Sequence, residues 1–146
     1  MALDTQCTPL SALAQINPGR VTSVLSPDAD VSFIPMPDVS EAGVWTHRQF
    51  RPLKEVASGF TSFKEGDVLF AKITPCMENG KGTHATGLVN DIGFGSTEFH
   101  VLRAGPELND RFLFHWTQTD KLRLSAESFM IGSAGQQRVQ KEFFDF

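Results

Sequence analysis

The sequence predicts an α+β fold, and three observations predict it. Between Arg20 and Leu102, short runs rich in β-branched and large apolar residues are broken by Pro, Gly, Asp and Ser, the texture of short strands and turns. From Asn109 the apolar spacing becomes helical, with Phe112, Leu113, Trp116, Leu122 and Leu124 on repeating faces. A length of 146 residues with 40% hydrophobic content suits one domain, here residues 1–146, that can bury a core without disulfides or a structural metal. Many strands followed by one helical segment place that segment on a mixed or antiparallel sheet.

Taken in order, residues 10–16 read as one or two helical turns between Pro9 and Pro18. Residues 21–25 and 31–36 read as strands. Pro27, Pro35 and Pro37 end them or put them at an edge, because proline has no N–H for a ladder. A strand is expected around residues 50–56. Residues 63–67 read as a turn, in which Gly66 can take positive φ and Asp67 can cap locally. Residues 68–74 form the clearest strand, stopped by Pro75.

Residues 76–82 read as a loop with Gly80 and Gly82 at its tip, 87–89 as a further strand, and 93–96 as a second glycine-rich bend. Residues 97–102 alternate, with Phe99 and Val101 on one side and Glu98, His100 and Leu102 on the other. Asn109 or Asp110 is the expected N-cap of a helix pair. Residues 128–135 form a glycine–serine loop, and 139–146 begin a new apolar element.

The net charge of −4 lacks the basic balance usual for a free-standing nucleic-acid binder. It is unevenly spread: residues 1–44 carry −4, residues 45–84 carry +2, and residues 85–146 carry −2. A polyanion would meet the middle segment, although a solvated surface explains two charges equally well. No apolar run is long enough to span a bilayer, and the first residues lack the basic and apolar regions of a signal peptide. Cys7 and Cys76 show neither CxxC nor zinc-ligand spacing, so reduced thiols, no metal, no cofactor and a cytoplasmic location are expected.

Catalytic signatures are missing. Ser96 and Cys76 sit in no nucleophile motif, the 93–95 glycines are no dinucleotide fingerprint, and Gly80-Lys81-Gly82 is no P-loop. Glu98 and His100 share a strand face and form the one candidate acid–base pair, against the alternative of a cross-strand polar pair. The segment 72–82 differs in character. A strand delivers Lys72 and Thr74, then a glycine-rich loop presents Asn79 and Lys81. Such side chains with exposed backbone N–H groups suit phosphate positioning, and Asn can pair bidentately with adenine. The competing reading is a hairpin that Asn79-Gly80 simply reverses. Gln136, Gln137 and Arg138 follow small residues in a similar way, or merely lead into the next element.

Four separated motifs carry a family resemblance. VSFIPM at 31–36, FKEGDVLFAKITPCMENGK at 63–81, GFGSTEFHVLR at 93–103 and GSAGQQRV at 132–139 resemble, in order, the DNA specificity subunit of type I restriction–modification systems. The resemblance spans about residues 20–146 and implies a single target-recognition domain lacking the family's long spacer helix. In that family two such domains each read one half of a split site on double-stranded DNA. Methyltransferase subunits methylate adenine, a restriction subunit cuts, and the specificity subunit does no chemistry itself.

On that footing the expected DNA contacts are Lys72, Thr74, Asn79 and Lys81, then Arg48 and Arg51 from the preceding excursion. Gln136, Gln137 and Arg138 come third, facing either DNA or a methyltransferase subunit. The alternative function is a protein-interaction or regulatory module that binds the methyltransferase without reading DNA.

Overall fold

The computed structural model describes residues 7–146. A 3₁₀ turn at Leu10–Ala12 leads into β1 (Ala14–Ile16), and an irregular stretch into β2 (Asp30–Ile34). Then come β3 (Gln49–Pro52), α1 (Leu53–Val56), β4 (Thr61–Lys64), β5 (Val68–Ala71), β6 (Gly82–His84), β7 (Ile92–Gly95) and β8 (Phe99–Ala104). Helices α2 (Asp110–Thr117) and α3 (Asp120–Glu127) follow, then a short hairpin, β9 (Met130–Ile131) and β10 (Arg138–Val139), and a final 3₁₀ segment, Lys141–Asp145.

Two four-stranded sheets form. The first has the order β1-β8-β5-β6 and is antiparallel throughout. The second has the order β3-β2-β7-β4, in which β2 and β7 run parallel. The helical segment lies on the antiparallel sheet, so the expected α+β arrangement holds.

Strict alternation places each face. In β5 and β8, Val68, Phe70 and Leu102 join Leu113, Leu122 and Phe144 beneath the helices. Leu69, Ala71, Phe99 and Val101 point the other way and meet Ile34 and Phe63 of the second sheet. A smaller cluster of Val31, Val56, Ile92 and Phe94 covers that sheet's outer face. β5, buried along its whole length, is thus also an uninterrupted apolar run. The helix starts obey capping chemistry: the Asn109 side chain accepts from Phe112 N–H, and Thr119 caps α3 through Leu122 N–H.

Several local expectations are corrected. Residues 93–96 are no bend: Gly93 and Gly95 lie inside β7, between β2 and β4. Glycine is required there by packing, because a Cβ on Gly93 would sit 2.2 Å from the Phe63 ring and one on Gly95 would sit 2.2 Å from Ile34 O. Residues 21–25 form no strand, since Val21 N–H goes to Ser62 Oγ and Leu25 N–H to Ser23 Oγ rather than to a ladder. Residues 87–89 form none either: the Glu65 carboxylate takes the N–H groups of Gly87 and Leu88, and Ser32 Oγ takes that of Val89. Residues 63 and 64 belong to β4, which leaves Glu65-Gly66 as the turn. The expected strand at 50–56 becomes β3 followed by the single turn of α1.

Candidate nucleic-acid interface

The sequence-predicted contacts gather into three neighbouring groups. In the first, the 130–139 hairpin is stitched to the end of β5. Val139 N–H donates to Lys72 O, Thr74 N–H donates to Gln137 O, and Lys72 N–H donates to Glu98 O, each at 2.9 Å. Lys72, Thr74, Gln136, Gln137 and Arg138 therefore come together, with Gln136 exposed.

Their chemistry is unequal. Arg138 is committed: its Nε and Nη2 reach the Glu98 carboxylate at 2.9 and 2.8 Å, and Nη1 donates to Gln136 O. The Arg138 guanidinium holds the Glu98 carboxyl below the usual carboxylate range. The Thr74 hydroxyl donates to Glu78 Oε2. Lys72 instead lines an open groove with Arg20, Asn17 and Phe60, so two cations share it.

The second group is the loop between β5 and β6. Its backbone winds tightly: Met77 N–H donates to Ile73 O, Asn79 N–H to Pro75 O, Gly80 N–H to Met77 O and Lys81 N–H to Cys76 O. The expectation of exposed N–H groups is corrected here, since these four donors are consumed within the loop and cannot cradle a phosphate. Gly82 is no loop tip but the first residue of β6, packed so that a Cβ would meet Leu69 O at 2.5 Å. The Lys81 ammonium donates to Met36 O at 3.4 Å. Asn79 is exposed, and the loop's own hydrogen bonds do not use its side chain.

In the third group, Arg48 stacks over the Trp45 ring at 3.9 Å while its Nη1 donates to Thr86 O at 3.0 Å. Arg51 lies on the edge strand β3, over Phe33, with Nη1 donating to Phe50 O. The 36–45 segment links this group to the second, because Gly80 abuts Glu41 O closely enough that a Cβ would sit 2.6 Å from it.

The acid–base pair considered from sequence does not form. Glu98 turns to Arg138, and His100 is buried with both ring nitrogens engaged: Nε2 with Val139 O at 2.7 Å and Nδ1 with the Asn17 amide at 3.0 Å. Burial pulls His100 down to about 4, so a neutral imidazole donates through Nε2–H and accepts at Nδ1.

Sequence reasoning missed Arg123. It is 5% exposed, without a carboxylate among its hydrogen-bond partners. Nε donates to Thr117 O, Nη1 to Met77 O and Lys81 O, and Nη2 to Gln118 Oε1. The guanidinium lies 4.1 Å over the Phe70 ring. Burial lowers it to about 10, which leaves it charged at neutral pH. A signal was present: Arg123 follows Leu122 and precedes Ala126 by three, so helical periodicity puts it on the buried face of α3.

A helix pair on an antiparallel sheet, backed by a second, mixed sheet, thus carries Lys72, Asn79, Lys81, Arg48 and Arg51 on its loops and edge. The chain is similar to the type I restriction enzyme EcoAI specificity subunit of Escherichia coli, 41% identical over 94% of this chain, and to the EcoEI specificity subunit of the same organism, 40% identical over 93%. It spans 23% of the length of each. No family model matches the chain.

Among solved structures, its fold matches a chain from work on complex assembly and conformational transition of the type I R-M system, with a TM-score of 0.65 and 19% identity over 82% of this chain and 30% of that one. It also matches the HsdS subunit from Thermoanaerobacter tengcongensis, with a TM-score of 0.63 and 20% identity over 81% and 30%. The resemblance read from the four motifs is therefore borne out. Among the described residues, no helix is long and apolar enough to cross a membrane.

Proposed function

We propose that residues 1–146 act as one target-recognition domain, reading one half of a split double-stranded DNA site for a type I restriction–modification complex in the cytoplasm. The domain itself makes and breaks no bonds, and the chemistry resides in methyltransferase and restriction subunits. The observation that carries this reading is the 41% identity to a specificity subunit across 94% of the chain.

On this reading Lys72 and Lys81, with Arg48, Arg51 and Arg20, neutralise phosphates. Asn79 reads a base edge, with Gln136 and Gln137 beside it. Thr74 and Arg138 serve by shaping the loops, since their polar groups are already paired. Selection from a randomised duplex pool at low salt tests it. Enrichment of a short motif supports the proposal; retention of no duplex, or of all duplexes alike, overturns it.

One observation favours the second reading, a module that docks on a methyltransferase subunit without reading DNA. Leu10, Leu13, Phe112, Trp116 and Phe146 line an apolar groove, and Phe112 and Phe146 are well exposed. Co-purification with the methyltransferase subunit, without any duplex shift, distinguishes that module from a DNA reader.

A further inference from the structure

Arg123 and Gln118 grip the β5–β6 loop from beneath. Arg123 Nη1 holds Met77 O at 3.0 Å and Lys81 O at 3.2 Å, and Gln118 Nε2 holds Gly80 O at 3.0 Å. The two side chains are joined to each other through Arg123 Nη2 and Gln118 Oε1 at 2.6 Å. Gln118 is itself wedged, since a Cβ on Gly43 would meet its Nε2 at 2.7 Å. Three loop carbonyls on either side of Asn79 are thus tied to the α2–α3 corner, which in turn stands on Phe70.

A buried cation without a carboxylate is a costly way to fill space. An apolar side chain of similar volume would avoid desolvation altogether. What a guanidinium offers instead is a rigid fork that fixes several acceptors in one geometry.

We infer that Arg123, acting with Gln118, is a positioning residue that sets the orientation of the Asn79 loop and thereby one element of base discrimination. It touches no base or phosphate itself. The functional half of this inference rests on the DNA-reading proposal above; the structural half does not.

The test uses the whole chain with Arg123→Met, which keeps volume and removes the donors, and Arg123→Lys as the partial restoration. Gln118→Ala releases the Gly80 carbonyl and removes the acceptor of Arg123 Nη2 while Met77 O and Lys81 O stay held, and serves if the methionine variant does not fold. Val56→Ala, a truncation in the outer cluster of the second sheet, controls for general loss of stability.

In Arg123→Met, amide exchange at Gly80 and Lys81 accelerates by about tenfold or more while β2 and β7 keep their protection. Preference for a duplex selected from the randomised pool over its single-position variants falls by about tenfold at one position. Affinity for a scrambled duplex and its salt dependence stay unchanged, and Arg123→Lys recovers part of the preference. Unchanged loop exchange, or a loosened loop with full discrimination, overturns the inference and leaves the DNA-reading proposal standing. Equal loss of discrimination in Val56→Ala also overturns it. A parent chain that prefers no sequence overturns the DNA-reading proposal and, with it, the functional half of the inference.

Discussion

Arg138 closes on Glu98 in a two-pronged ion pair, with Nε 2.9 Å and Nη2 2.8 Å from the carboxylate, and so spends on its own domain a cation that the sequence offers to DNA. The same contact fastens β10 of the 130–139 hairpin to the residue that precedes β8, beside the bridge from Ile73 to Arg138. Charge counted along a chain overstates what a surface can present when carboxylates fold onto the cations.

Release of that cation is measurable. Glu98→Gln frees the guanidinium, so affinity for any duplex rises and the slope of log affinity against log salt steepens by about one. Titration against mixed-sequence duplex at several salt concentrations reads both. An unchanged slope shows that Arg138 points away from the phosphates. The pair also has a pH signature. The carboxyl of Glu98 is held low in the folded state, so its contribution to stability is present above the ordinary carboxylate range. That contribution is lost as pH falls through the lowered value.

His100 has a signature of the same sign in a higher pH window, although here the neutral form is the one that folding favours. Its folded value of about 4 lies below the ordinary 6.5, so the unfolded chain takes up a proton that the folded chain refuses. Stability from this group is complete above pH 6.5 and declines as pH falls towards 4, by roughly 3 kcal/mol in all. Denaturant melts across that interval measure the slope. His100→Gln, which can still donate to Val139 and accept from Asn17, flattens it.

A third expectation concerns the glycines of β7. Gly95→Ala drives a methyl to 2.2 Å from Ile34 O within a paired strand, where neither backbone can withdraw, and costs at least about 3 kcal/mol. Gly59→Ala meets open space at φ +84° and costs only about 1–2 kcal/mol, the left-handed backbone penalty. Equilibrium unfolding of the two variants gives the ranking; equal losses would remove the packing account.

The ion pair under the first sheet is a fourth. Asp67, 1% exposed, accepts from Arg103 Nε and Nη2 and from Lys64 N–H. Asp67→Ala strands a largely buried guanidinium and costs about 3–5 kcal/mol, read as a shift of the unfolding midpoint.

The sequence alone determined the α+β class, the core of the clearest strand, the cap at Asn109 and the family resemblance, because each is written in residues near one another. That strand ends at Ala71 rather than at Pro75, where Lys72 and Ile73 turn to Glu98 and Arg138. Alternation of two placed Phe99 and Val101 opposite His100 and Leu102, and the helical spacing put Leu113 and Leu122 inward, whereas Phe112 and Leu124 of the same set face outward. Tertiary structure alone decided that Gly93 and Gly95 lie in a central strand, because their reason is the Phe63 ring from β4 and the Ile34 carbonyl from β2. It alone decided that Glu98 serves Arg138 rather than His100 and that Arg123 grips the loop bearing Asn79. Hydrogen bonds and close contacts between segments forty residues apart depend on how the chain returns upon itself, and local periodicity carries no record of that return.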